Sequence, residues 1–400
     1  MTPSPGAPER LRFSGSGSEY FRIWIVNLLL TLVTLGLYSP WAKVRRLRYF
    51  YGNTYLGGAP FDFHGRPAPI LVGRVIALVL LFVYANPAIF SWQLSLGTAL
   101  LIALLLPVLV QRSLRFRLRN TSWRNLRFGF RGTALQAWRA TLQPLMVAGA
   151  LLAALALAAA LLGALRSVGV SVGPGLEASG AGVAAPYLGA ALMLALVVIA
   201  LPLMTAAAYC AYRRFAGNHA NFGSARFALT LRLANVAKIH FVAALFNGLL
   251  LAAVLAVVVV GALGADASRS AGVEQTATWL RAAPAMLVPA AYLGFWATSG
   301  YLTSRLQRLV WNNTRLDGHR FACDLSARRF AWLMIRNLLL TILTVGLYRP
   351  FAAVARARMQ VESVSFLPDG ELDAIVASAQ PDPRAIGEEV VDALDLDLSF

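Results

Sequence analysis

Apolar residues run through this chain in long blocks separated by short basic stretches. Six blocks are clear, at 69–90, 92–110, 141–165, 185–209, 239–264 and 284–303. About 20 successive apolar residues cross a hydrocarbon core of roughly 30 Å, so each block predicts a transmembrane helix. Two further runs, 22–38 and 330–348, are shorter and more polar. The pattern therefore predicts an all-α polytopic membrane protein with six clear and two further transmembrane helices, carrying small cytoplasmic β-hairpins in the loops. Three divisions follow: an N-terminal segment 1–21, a membrane domain 22–359 and an acidic tail 360–400.

The two shorter runs are copies of one another. Sliding 27–48 by 310 positions onto 337–358 matches Asn27 with Asn337, Thr31 with Thr341, Thr34 with Thr344 and Tyr38 with Tyr348, with 14 of 22 positions identical. In each copy these polar residues recur at helical spacing and mark one stripe. Two topologies fit. Either both runs cross, giving eight spans, or both enter and leave on one side as re-entrant segments; their near-spanning length favours crossing.

A second pattern sits in the basic loops, where an Asn is followed eight residues later by Phe. It reads Asn53, Thr54, then Phe61, Phe63, Gly65; Asn120, Thr121, then Phe128, Phe130, Gly132; and Asn313, Thr314, then Phe321, Cys323, with a looser copy from Asn218 to Phe227. Alternation around Gly57-Gly58 and Asp317-Gly318 suits two-stranded hairpins with one apolar face. A lone hairpin is marginal in water, so the four are expected to pack as a small basic cap. Leu11, Phe13 and Gly15 echo the second half of the pattern near the chain start.

Charge sets the orientation. Loops 39–74, 111–140, 210–238 and 304–329 together sum to +22, whereas those near 86–92, 166–184 and 265–283 each sum to zero. The basic loops are therefore expected inside. With 58% hydrophobic residues, 14% charged and a mean hydropathy of +0.62, the composition lies outside the soluble range. Cys210 and Cys323 are too few for a disulfide framework or a thiolate metal site. The basic residues Lys43 to Arg48 after the first run reverse the charge order of a cleaved signal, so that run is expected to be retained. From 360 onward ten acidic residues face Arg384 alone. This predicts a flexible tail that docks on the basic cap.

The candidate chemistry is sparse. Polar groups in hydrocarbon are costly unless paired, which singles out Asn27, Thr31, Thr34, Asn337, Thr341, Thr344 and Asn247, either as interhelical hydrogen-bonding groups or as the lining of a solute path. Arg74 and His240 lie near span ends and read as snorkelling side chains. Arg115, Arg117, Arg119, Arg124 and Arg127, interleaved with Phe116, Trp123 and Phe128, suit anionic lipid headgroups, and topology accounts for them without nucleic acid. Asp62 and His64 share a strand face but lack a second pair at ligand spacing, so no metal is expected. No phosphate loop, nucleophile elbow or HExxH motif occurs; the balance is against an enzyme, and no cofactor is expected.

The runs Tyr20-Phe21-Arg22-Ile23-Trp24, Thr34-Leu35-Gly36-Leu37-Tyr38-Ser39-Pro40-Trp41-Ala42-Lys43-Val44-Arg45, Arg48-Tyr49-Phe50-Tyr51-Gly52-Asn53-Thr54 and Phe61-Asp62-Phe63-His64-Gly65 resemble the YjgN family. The likeness is densest over 11–75, recurs at 305–358 and implies a multi-pass bacterial inner-membrane protein without an assigned activity. The second copy departs at Arg349, Phe351, Ala353 and Ala355, so a role for Lys43 or Arg45 is not duplicated. Two functions stand: transport or solute handling along a path framed by the terminal copies, and a structural or regulatory scaffold contacting lipids, partner proteins or further copies of itself through the arginine-rich loops.

Overall fold

The computed structural model describes residues 8–167, 181–270 and 274–369. The chain opens with two short strands, β1 (Glu9–Arg10) and β2 (Arg12–Phe13), and then alternates helices with strands. Helices α1 (Gly17–Val33) and α2 (Ser39–Gly52) lead into β3 (Thr54–Leu56) and β4 (Ala59–Phe63). Next, α3 (Ala68–Ala85), the single turn α4 (Pro87–Phe90) and α5 (Trp92–Arg119) lead into β5 (Thr121–Trp123) and β6 (Leu126–Phe130). Helices α6 (Ala134–Ser167) and α7 (Ala181–Asn218) precede β7 (Ala220–Phe222) and β8 (Ala225–Leu229). Then α8 (Leu233–Ser270) and α9 (Glu274–Asn312) precede β9 (Thr314–Leu316) and β10 (His319–Cys323). Finally α10 (Ala327–Leu343) and α11 (Arg349–Glu362) reach β11 (Val364–Leu367).

These strands overturn the all-α class. Among the described residues they form one eleven-stranded antiparallel sheet, ordered β1-β11-β10-β9-β8-β7-β6-β5-β4-β3-β2. Its two ends are consecutive pieces of one segment. Glu9 and Arg10 pair with β11, Arg12 and Phe13 pair with β3, and Leu11 between them donates its N–H to Val364 O at 3.0 Å. The sheet thus closes on itself through the N-terminus, which removes the free edges a short-stranded sheet would otherwise expose. The hairpins of the basic loops are parts of this ring and not separate elements. Strands of three to five residues gain stability only by pairing on both sides.

The six to eight expected membrane spans are also not found among the described residues. Among the described residues three helical stretches, Ala68–Ala85, Trp92–Arg119 and Leu233–Val254, are long and apolar enough to cross a membrane. The runs at 22–38 and 330–348 are not among them. Each ends after a 17-residue helix in a tight turn, at Thr34 and Thr344, and the chain comes back as α2 or α11.

The chain divides into two compact units. One comprises Met1–Arg139, Arg213–Thr230 and Ser304–Phe400, and so holds the whole sheet; the other comprises Ala140–Tyr212 and Leu231–Thr303. Within the first unit the ring has an apolar interior built from Leu56, Trp123, Phe222, Ala225, Leu316 and Phe366, flanked by Leu11, Phe61, Phe128, Phe227 and Phe321. The first Phe of each alternating pair touches the next, Phe61 to Phe128, Phe128 to Phe227 and Phe227 to Phe321 each at 6.3 Å, and Phe321 meets Phe366 at 5.1 Å. The Trp123 indole N–H donates to Leu56 O and Ala59 O, each at 3.2 Å, and so ties neighbouring strand pairs together. In the second unit Ala206, Ala207, Cys210 and Val236 are buried, and Tyr209 lies against His240.

Candidate functional site

Each strand pair is delivered by a helix whose end is closed by its own side chains. The amides of Asn53, Asn120 and Asn313 donate to Tyr49 O, Phe116 O and Leu309 O, and the next hydroxyls, on Thr54, Thr121 and Thr314, donate to Phe50 O, Arg117 O and Val310 O. Those carbonyls belong to the last helical turn, where Tyr49 O, Phe116 O and Val310 O also accept from the N–H groups of Asn53, Asn120 and Asn313, so the Asn and Thr side chains add further bonds where helix gives way to strand. Two arginines reinforce the far end of the strands: Arg48 donates to Gly65 O at 3.3 Å and Arg358 to Gly15 O at 2.9 Å.

The strand register then sorts side chains. Residues alternating with the apolar interior point outward, and Arg10, Arg12, Arg127, Arg226, Arg315 and Arg320 are all exposed there. Arg315 and Arg320 sit directly opposite each other on paired strands. Like charges so placed repel and disfavour the pairing. Over residues 8–139, 213–230 and 304–369 the first unit carries thirty Lys and Arg against seven Asp and Glu. Arg124 stacks on Trp123, 5.0 Å from its ring, and donates to Gly57 O at 3.1 Å. With Arg10, Arg12, Tyr55 and Gly57 it lines a cavity of about 1030 Å³ at the seam where the ring closes.

A second cationic group lies along α2 and α11. Burial pushes the Lys43 ammonium below its usual range, helped by Arg74 and Arg117 nearby, and burial with Arg46 beside it does the same to Arg356. Arg74 donates to the Ser39 hydroxyl at the start of α2. Sequence reasoning missed this convergence, which joins residues far apart in the chain; the matched Arg46 and Arg356 of the two copies were the available signal.

The polar stripes serve local structure in this fold. Thr31 and Thr341 donate to Asn27 O and Asn337 O at 2.6 Å, while Thr34 and Thr344 donate to Leu30 O and Leu340 O at 2.7 Å and accept from the Tyr38 and Tyr348 N–H groups at 3.0 Å. Asn27 and Asn337 are buried, and the Oδ1 of each has no hydrogen-bond partner; Asn337 Nδ2 donates to Ala352 O at 3.4 Å. Asn247 is half-buried in α8, in the other unit. Arg115 and Arg119 are half-buried near the end of α5 and Arg117 is exposed, with Arg115 Nε lacking a partner. His64 Nε2 lies 2.8 Å from Ser122 Oγ. Among the described residues no three His, Cys, Asp or Glu side chains gather as metal ligands.

Residues 8–393 match the family described as "Bacterial protein of unknown function (DUF898)". The chain belongs to this family. Curated relatives are the inner membrane proteins YjgN of Salmonella typhimurium strain LT2, 25% identical over 378 residues (91% of this chain, 89% of the relative), and of Escherichia coli K12, 25% identical over 386 residues (92% of each). No solved structure matches. With the apolar helices, these relatives make this DUF898 member a membrane protein and support the inner membrane as its location.

Proposed function

We propose that this DUF898 protein is a membrane-anchored scaffold whose arginine-faced barrel docks acidic protein segments on the cytoplasmic side. The exposed belt of Arg226, Arg315 and Arg320 around a ring filled with aromatic side chains carries the reading. A solid interior favours an outer docking surface over a conduit. The basic loops favour the cytoplasm. The part of α3 beyond Arg74 also stands off from the strands. Helix α2 extends 14 residues, about 21 Å at 1.5 Å per residue, between Ser39 beside Arg74 and β3. Arg115, Arg117 and Arg119 at the end of α5 lie nearer the apolar stretch and suit lipid phosphates, worth about 1 kcal/mol each.

The chain supplies one acidic segment itself, 370–400, which follows Asp369, whose N–H donates to His319 Nδ1 at 2.9 Å, and carries eight acidic residues against Arg384. The test titrates protein ending at residue 369 with a labelled 370–400 peptide and with polyglutamate. Binding that weakens with salt and is lost in an Arg226→Ser, Arg315→Ser, Arg320→Ser variant is expected. Equal binding by that variant would remove the belt from the mechanism.

A solute path remains the second reading, favoured by the unpartnered Oδ1 atoms of Asn27 and Asn337. Flux into vesicles that is abolished by Asn27→Leu, Asn337→Leu would support it. The likeness of the terminal segments fits duplication of one helix-pair and strand unit.

A further inference from the structure

The terminal helix pairs leave the sheet and return to it on adjacent strands. Phe13 of β2 pairs with Thr54 of β3 on either side of α1–α2, and Cys323 of β10 pairs with Val364 of β11 on either side of α10–α11. Neither pair can end on the opposite side of a membrane from where it began. The tip of each is the same strained turn. Leu35 and Val345 have φ of 50°, and Gly36 and Gly346 have φ of 92°, donating to Thr31 O and Thr341 O at 2.7 Å. A left-handed conformation is rare for a bulky residue and rarer for a β-branched one, and a water-facing turn would place Asn, Asp or Gly there.

These strained residues are also uncovered. Leu35 is 95% and Val345 93% exposed, next to Val33 at 81% and Leu343 at 79%. Below the tip of α1–α2 come Tyr38 and Trp41, stacked on each other with Ser39 and its Arg74 contact between them in the chain, and then Lys43 close to Arg74 and Arg117. Tyr348 stacks on Phe351 at the same place in the second pair. Apolar, aromatic, cationic is the order in which a side chain leaving a bilayer meets hydrocarbon, interface and phosphate.

We propose that α1–α2 and α10–α11 are re-entrant hairpins whose tips, Leu35 and Val345, bury in the hydrocarbon of the phospholipid leaflet nearest the sheet without crossing it. The inference rests on the membrane anchoring of the scaffold, with α3 and α5 as the pair that spans. Together the two wedges add apolar volume to one leaflet only.

Single cysteines at Leu35, Val345, Ser91 and Ser224, introduced with Cys210→Ser and Cys323→Ser and reconstituted in phosphatidylethanolamine–phosphatidylglycerol vesicles, test it. Both tip residues project from the fold, so the substitutions leave packing intact. Ser224, in a turn of the sheet, is expected to react with impermeant maleimide from one face, and Ser91, between α4 and α5, from the other. Leu35→Cys and Val345→Cys should lose reaction from both faces, and spin labels there should collide with oxygen and not with an aqueous nickel chelate. Tip labelling from the Ser91 face would show a crossing segment, and labelling or nickel access from the Ser224 face would show a tip in water; either overturns the proposal. Ser91 reacting on the Ser224 face would instead sink the spanning of α3 and α5, while the oxygen and nickel readings still judge the tips.

Discussion

At the residue scale the alternating Phe-x-Phe-x-Gly pattern is a packing rule. A Cβ on Gly65 would lie 2.5 Å from the Phe63 ring, and Gly15 and Gly132 stand in the same relation to Phe13 and Phe130. Where the second aromatic is replaced by a smaller side chain the glycine goes too: Leu229 is followed by Leu231 and Cys323 by Leu325, all buried. Gly65→Ala should therefore destabilise by about 1–3 kcal/mol in thermal unfolding, and Phe63→Leu with Gly65→Leu should recover part of that loss. Tyr49 is a second sensitive point, since its hydroxyl donates to Ser16 O at 2.9 Å and lies 3.2 Å from Glu19 Oε2. Burial and the Glu19 charge push its phenol from 10.0 up to about 12. A raised phenol pKa means the fold prefers the neutral form, so this stabilisation is complete below pH 10 and fades as pH rises through 12. A tyrosinate absorbance step near pH 12 that is missing in Tyr49→Phe is the expected signature.

At the element scale, the strands explain why arginines interrupt apolar positions at every second residue. The interior takes Phe227, Leu316 and Phe321, and the outside takes Arg226, Arg315 and Arg320. The opposed Arg315 and Arg320 cost stability and serve the surface. Arg320→Glu should raise stability by about 0.2–1 kcal/mol in thermal unfolding while weakening binding of the 370–400 peptide, a split that a purely structural arginine would not produce. The helix ends are the most legible elements, because the Asn-Thr pair names the residue at which the backbone loses its helical partners. The turns at 34–38 and 344–348 were hidden by their own hydrophobicity, which continues the apolar run through the point of reversal.

At the scale of the whole molecule, closure depends on the two chain ends. Segment 9–13 bridges β11 and β3, so removing residues 1–15 should leave two unpaired edges and give aggregated protein on size exclusion in detergent. Deleting 360–400 should do the same, because it takes β11, whereas deleting 370–400 should leave the elution unchanged. The expected acidic tail beginning at 360 thus includes a strand of the ring.

The periodicities in the chain were enough to determine an apolar, membrane-embedded character, the basic loops and the local strand signals, because each is set by residues within a few positions of one another. Closure of the sheet, the return of the terminal helices and the meeting of Arg46 with Arg356 were decided only in three dimensions. Val364 and Phe366 carry too little pattern in four residues to announce a strand, and nothing in Glu9–Phe13 says that its partner lies more than 350 residues away. Pairing across such distances is chosen by the edges left open elsewhere, and those exist only once the rest of the ring has formed.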